Sequence, residues 1–255
     1  MRISIITPVL NKAQYIEKCF ESMARQSYSD LEHIIIDGGS NDGTVKLIEK
    51  YASGRANVNW ISKPDRGQSH AMNRGMRLAR GDIIGFLNAD DYYEPDIFGT
   101  VSDLLGQMEA PAILFGNCSI WNDSGEIWGV NKPKVLDIVE WLLPDGDGFI
   151  PVNPVQYFYT SDVHSLVGCF DEDEHYVMDM DFLFRAVQVA NCHYIDRLFG
   201  NFMLIRGTKT LSDIQASTAD ARTLTLKRKY INSLPFRMRL MYEIKRIARR
   251  RVSRP

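Results

Sequence analysis

Through the first hundred residues, apolar positions come in short unbroken runs separated by stretches of helical spacing. Residues 3–9, 33–36, 58–62 and 82–87 read as strands. After the first of these, Tyr15, Ile16, Cys19, Phe20 and Met23 fall at helical intervals, with Asn11 placed to cap that helix. Further helices are expected over residues 44–51 and 68–79. Short, fully apolar strands alternating with helices predict an α/β fold with a mostly parallel sheet covered on both faces. Residues 111–154 are less regular, with the proline- and glycine-rich stretches NKPK and PDGDGFIPVNP, and read as an irregular sheet edge or a mobile lid. A helix returns at about residues 178–190, and the end of the chain holds at least one amphipathic helix.

Such sheets bind ligands at the carboxyl ends of their strands. The polar oddities of this chain sit at those ends: Thr7 and Asn11, Asp37, Asp65, and the adjacent pair Asp90 and Asp91. Their convergence predicts a sugar-like ligand, or a polyanion with its cation, along the top edge of the sheet. Turn chemistry explains part of the pattern, since Asp37-Gly38-Gly39-Ser40-Asn41-Asp42-Gly43 is built of turn formers and Ser40 or Asp42 can cap the next helix. Asp37 itself lies at the strand terminus, before the turn, which favours ligand contact, and the glycines let backbone approach a ligand closely. Lys63-Pro64-Asp65-Arg66-Gly67 is, alone, an ordinary turn with proline at its second position.

Asp90 and Asp91 resist the structural explanation best. The following helix should start after Glu94-Pro95, so the pair comes several residues too early to cap it. Two neighbouring anions at the end of a buried strand repel, and Mg²⁺ or Mn²⁺ would relieve that repulsion. A second pair, Asp179 and Asp181, opens the helix near residue 178, where Asp181 has an i,i+4 partner in Arg185.

Composition narrows the class. The chain has 255 residues, 45% apolar and 24% charged, enough for one sizeable core or one domain with an appendage. Cys19, Cys118, Cys169 and Cys192 are widely spaced, which argues against a disulfide framework or a zinc site and for free thiols in the cytoplasm. No signal-peptide layout precedes the first strand, and the longest apolar runs are about half of a membrane span. The first strand is not followed by G-x-G-x-x-G, and no Walker-type G-K-[ST] occurs. The near-neutral total of −2 hides an asymmetry, because residues 227–255 hold about 11 Lys and Arg against one acid, Glu243.

Four stretches in order, ISIITPVLN, HIIIDGGSNDGT, KPDRGQSHAMNRGMRLARGDIIGFLNADD and VGCFDEDEHYVMDMDFLFR, resemble the family-2 inverting glycosyltransferases of the GT-A fold over roughly residues 2–190. The resemblance implies a Rossmann-like sheet flanked by helices, a UDP- or GDP-sugar donor, a divalent metal (Mn²⁺ or Mg²⁺), and single displacement by an acceptor hydroxyl. Carried over by position, Thr7, Pro8, Asn11 and Asp37 would line the base and ribose pocket, and Asp65 and Arg66 would lie near the nucleotide. Asn88-Ala89-Asp90 takes the D-x-D slot, making Asp90 the metal ligand, with Asp91 supporting it or touching the donor. Asp179 falls where the family has its catalytic base. The chain departs from the family in having Asn88 at the head of the triplet, Gly38 where many members have a second acid, and Met178 before Asp179. The processive-polymerase signature Q-x-x-R-W and its membrane spans are absent from the sequence.

The implied layout is a catalytic domain over residues 1–205, with a nucleotide-sugar half at 1–100 and an acceptor half at 101–205, followed by a basic helical C-terminal extension at 206–255. A glycan or lipid-linked acceptor, in polysaccharide, O-antigen or glycolipid synthesis, suits one-sugar transfer. In the extension, Leu240, Met241, Ile244, Ile247 and Ala248 share a helical face, which either meets an anionic membrane at the inner face of the cytoplasmic membrane or packs on protein. Nucleic acid is not an expected partner, since no recognition motif accompanies the charge. The competing functions are a sugar-phosphate nucleotidyltransferase and a non-catalytic sugar-binding descendant. The first should show a glycine-rich loop where this chain reads TPVLNKAQ, and the second should lack Asp90 or Asp179.

Overall fold

A computed structural model of the chain describes residues 1–174, 176–206, 208, 211 and 219–252, with side chains up to Arg249. The first half follows the expected alternation: β1 (Ile3–Val9), α1 (Ile16–Ala24), β2 (Leu31–Asp37), α2 (Thr44–Ala52), β3 (Val58–Ser62), α3 (Gln68–Leu78) and β4 (Ile83–Phe86). These strands pair in the order β3-β2-β1-β4, all parallel, so their carboxyl ends share one edge. The chain continues through β5 (Tyr92–Tyr93), α4 (Ile97–Gln107), β6 (Ala112–Trp121), β7 (Ile127–Asn131), α5 (Ile138–Leu142), β8 (Tyr157–Thr160), α6 (Ser161–Val167), α7 (Met178–Ala186) and β9 (Asn191–Met203). Two helices close the described chain, α8 (Ala219–Ser233) and α9 (Phe236–Val252). The sheet runs on as β8-β6-β9-β5, with β8 antiparallel to both neighbours, β9 parallel to β6, and β7 forming a hairpin with β6. Among the described residues, no helix is long and apolar enough to cross a membrane.

Three local expectations change. Residues 111–154 are not merely an irregular edge, because β6 lies inside the sheet between β8 and β9. Its apolar pattern is broken by Gly116, where a Cβ would lie 2.5 Å from the Phe199 ring, and by buried Asn117, which donates to Asp196 Oδ1 at 2.7 Å. Both features disguise a central strand. Nor does Asn11 cap α1, whose N-cap is Tyr15 with no side-chain hydrogen bond. Asn11 instead takes a positive φ of 52° and accepts from Asn41 N–H at 3.0 Å, tying the β1–α1 loop to the β2–α2 loop. Asp42 accepts from Thr44 N–H at 3.0 Å in the turn before α2, but the N-cap of that helix is Gly43, with no side-chain hydrogen bond.

Alternation along each strand divides the core. Ile6, Ile34, Ile36, Phe86 and Phe115 face α3 and α7, while Ile3, Ile5, Ile35, Leu114 and Phe158 face α1 and α4. The close approach of α3 to β1 depends on Gly75, where a Cβ would meet Ile6 Cγ2 at 2.3 Å. Overpacked sites of this kind typically cost about 1–3 kcal/mol. Gly75→Val should therefore lower the melting temperature by several degrees, read by calorimetry, and an unchanged melt would show that α3 is free to shift.

On the other face, His33 is buried, with Thr7 Oγ1 at 2.9 Å from Nε2 and Tyr51 Oη at 3.2 Å from Nδ1. Burial holds the imidazole neutral, down to about 3. A folded value below the unfolded one means that the unfolded chain binds the proton first. Stability from this group is therefore complete above pH 6.5 and lost as pH falls toward 3. The slope is about 1.4 kcal/mol per pH unit in that window. His33→Gln should flatten the urea midpoint between pH 6.5 and 4.5 relative to wild type; parallel curves would contradict this assignment.

The extension is pinned to the body. Leu226 and Tyr230 of α8, Leu234 just after it and Tyr242 of α9 enter the core cluster beside α5 and α7. Buried Lys227 donates to Leu143 C=O at 3.2 Å and pairs with Asp147 at 2.6 Å. Asp181 pairs with Arg185 at 3.0 Å, as its spacing predicts, and also accepts from Lys229 and Tyr230 of α8.

Candidate active site

At the carboxyl edge of β1 and β4 the loops enclose a cleft of about 540 Å³, a size suited to a small-molecule ligand. Pro8 ends β1 with Val9 and Lys12 follows it, and Asn88 and Asp90 follow β4. Asp65, Arg66 and Gln68 enter from the β3–α3 loop and the first turn of α3. On the other side stand Val152, Asn153, Phe202, Tyr176 and, at the start of α7, Asp179. Residues far apart in sequence, Asp90 and Asp179, thus face the same space.

Asp90 and Asp91, adjacent in sequence, have different surroundings. The Asp90 carboxylate opens into the cleft and pairs with Lys12 Nζ at 2.8 Å. Asp91 is buried, accepting from Asn88 Nδ2 at 3.0 Å, Asn153 Nδ2 at 2.8 Å and Met203 N–H at 2.9 Å. Burial, and then the neighbouring Asp90 charge, push its carboxyl up to about 8, against the pull of those three donors. Asp91 thereby ties the β4 end to β9 and to the 3₁₀ turn at Pro154–Gln156, and it is Asp90 alone of the pair that lines the cleft. Asn88 is held on both sides, accepting from Gln68 Nε2 at 2.9 Å while donating to Asp91.

The other expected ligand residues divide similarly. Pro8, Asp65 and Arg66 line the cleft. Thr7 is buried against His33, Asn11 is exposed but tied to the neighbouring loop, and neither lines the cleft. Asp37 is fully buried and organises its own turn, accepting from Gly39 N–H and Ser40 N–H at 3.0 Å, Ser62 Oγ at 2.7 Å, and Ser40 Oγ. Gly38 leaves room for Asp65, since a Cβ at 38 would lie 2.7 Å from Asp65 Oδ2. The space that a second acid would need after Asp37 is filled by the carboxylate of Asp65.

Several contributors carry no sequence signal. Lys12 is one, as no pattern marks the partner of Asp90. Gln68 and Asn153, which orient Asn88 and Asp91, are two more. Glu172 accepts from Arg66 and from Asn73 Nδ2 at 3.1 Å, and Ser69 Oγ donates to Glu174 C=O at 3.2 Å. These bonds fasten the segment before Asp179 to the N-terminal end of α3. Tyr157, buried below this region, is pushed well up by burial and then by the Asp179 charge.

The cleft can hold an anion and a cation together. At the N-terminus of α3 the Gly67 N–H is taken by Asp65 Oδ1 at 2.9 Å, and the first turn of the helix lines the cleft beside Arg66 and Lys12. For a divalent metal the donor set is small: among the described residues no group of three or more His, Cys, Asp or Glu side chains could hold one. One carboxylate, completed by water and ligand phosphates, nevertheless meets the usual demand of Mg²⁺. Asp90 in an open cleft fits that pattern.

Residues 4–151 match the sequence model of glycosyl transferase family 2. The chain belongs to that family. It is 37% identical over 128 residues to a PGL/p-HBAD biosynthesis glycosyltransferase of Mycobacterium bovis, covering 49% of this chain and 50% of the relative. It is 32% identical over 124 residues to the uncharacterized glycosyltransferase EpsJ of Bacillus subtilis, covering 49% and 35%. The match thus spans half or less of the length of these curated relatives. Among solved structures, S. aureus TarS 1-349 in complex with UDP-GlcNAc superposes with a TM-score of 0.65 at 20% identity, covering 83% of this chain and 61% of that one. At that identity the likeness shows the fold, which is GT-A.

Proposed function

We propose that this family-2 member is an inverting glycosyltransferase that moves one sugar from a nucleoside-diphosphate sugar to an acceptor hydroxyl. The observation that carries the reading is the sharing of one cleft by Asp90, the first turn of α3 and Asp179. The diphosphate lies against the α3 N-terminus, with Lys12 and Arg66 supplying positive charge. Asp90 would hold Mn²⁺ or Mg²⁺, which when bound offsets the charge gathering on the leaving diphosphate. Asp179 accepts the proton of the acceptor hydroxyl as its oxygen bonds to the anomeric carbon. The bond from that carbon to the phosphate oxygen breaks on the opposite face, so configuration inverts. Asp91, neutral or hydrogen-bonded in its buried seat, holds the Asn88–Asp90 segment in place rather than acting on the donor.

The acceptor enters on the side of Val152, Tyr176 and Phe202, a mixed apolar and aromatic wall that suits a glycan or a lipid-linked sugar. The UDP-GlcNAc named for the TarS complex makes a UDP-sugar the first donor to try. Isothermal titration of UDP, GDP and their sugars, with and without Mn²⁺, tests the donor site. Binding of one nucleotide family, strengthened by Mn²⁺, is expected; no binding of any would overturn the reading.

A further inference from the structure

α9 is two-faced. On its inner side Tyr242 is buried, Lys245 pairs with Glu140 of α5 at 2.5 Å, and Arg249 pairs with Glu140 and Asp145. The outer side carries Phe236, Leu240, Ile244 and Ile247, at i, i+4, i+8 and i+11, with Met241 beside them. All five are exposed, Phe236 by 82%. A contiguous strip of large apolar side chains in water marks a contact surface. At 3.6 residues per turn, Arg237 and Arg239 border the strip on either side. Both are exposed, and neither enters an ion pair among the described residues. The cations on the inner side are thus used to fasten the extension, while those beside the strip face outward.

The geometry points to a docking surface for an anionic phospholipid membrane, with Phe236, Leu240, Ile244 and Ile247 entering the acyl boundary and Arg237 and Arg239 meeting lipid phosphates. Apolar burial and cation attraction to anionic lipid act together in such interfacial helices. Arg237 and Arg239 outnumber the one acid at the strip's edge, Glu243, which is paired with Arg246 at 2.6 Å, so the face stays net positive and suits an anionic lipid better than an equally positive second copy. Because Tyr242 and the Glu140 pairs hold α9 from behind, docking requires no release of the helix from the body.

Co-sedimentation of the full chain with vesicles tests this without any turnover, so its outcome is independent of the reading of the cleft. Wild type should bind vesicles of phosphatidylcholine and phosphatidylglycerol in equal parts at least about ten-fold more tightly than pure phosphatidylcholine. Leu240→Glu with Ile244→Glu should lose about ten-fold or more on the mixed vesicles, through lost apolar burial and added repulsion. Arg237→Gln with Arg239→Gln, which leaves the apolar strip intact, should lose most of the preference for the anionic lipid. Absence of wild-type binding, or equal binding by wild type and both variants, would overturn the proposal. So would a wild-type dimer in analytical ultracentrifugation that the glutamate variant dissociates, because the strip would then be covered by a second copy.

Discussion

Asp179→Asn should reduce kcat for sugar transfer by about 10²–10⁴-fold, the usual value of a positioned general base. Asparagine is nearly isosteric and keeps an oxygen for Met180 N–H, which Asp179 Oδ1 accepts at 2.8 Å, so the start of α7 should be undisturbed. It cannot take a proton from the acceptor. Affinity for the donor should remain close to wild type, because the proposal gives Asp179 to the acceptor and sets the diphosphate across the cleft at α3. A matching fall in kcat and kcat/KM is the signature of a group that acts in the transition state. Transfer by the wild type should give product with inverted anomeric configuration, readable by proton coupling at the anomeric position. Near-normal turnover in the variant would remove Asp179 from the chemistry.

The second large effect belongs to Asp90. Asp90→Asn should lower transfer by about 10²-fold, corresponding to the loss of roughly 3 kcal/mol of charge stabilisation on the leaving group. It should also abolish any dependence of rate on Mn²⁺. Its partner Lys12, 2.8 Å from the carboxylate in the wild type, would be left without that counter-charge and free to meet phosphate. Donor binding measured without metal should therefore hold steady or tighten as catalysis falls. Initial rates of nucleoside diphosphate release across a Mn²⁺ titration distinguish these outcomes. A variant with the wild-type Mn²⁺ response would assign the metal to other residues. Asp91→Asn should behave differently, altering melting more than metal response, since its carboxylate is buried under three donors.

How much of this could be read from the sequence depends on how local each cause is. β1 to β4 and the helices between them were legible because unbroken apolar runs and helical spacing are local patterns that the parallel sheet obeys. β6 was not, since Gly116 and Asn117 interrupt its pattern for reasons that lie in Phe199 and Asp196, far along the chain. The carboxylates at the strand ends drew attention to the right edge of the sheet. Their individual duties were hidden, because neighbouring residues leave a strand in different directions. Asp90 thus enters the cleft while Asp91 is consumed by Asn153 and Met203, and Asp37 is consumed by its own turn. Lys12, Gln68 and Glu172 had no signal, as a single polar residue in a loop means nothing until its partner is placed beside it. The basic extension was visible as charge, yet only the packed Tyr242 and the Glu140 pairs separate its inner face from its outer one.

The central claim is that this cleft releases a nucleoside diphosphate from a nucleotide sugar through Asp90 and Asp179. Its most direct test is nucleoside diphosphate release from a panel of UDP- and GDP-sugars, with Mn²⁺, by wild type, Asp90→Asn and Asp179→Asn in parallel. Release from one donor by wild type, with both variants reduced at least about 10²-fold, is the predicted result. Release that persists unchanged in either variant would contradict it.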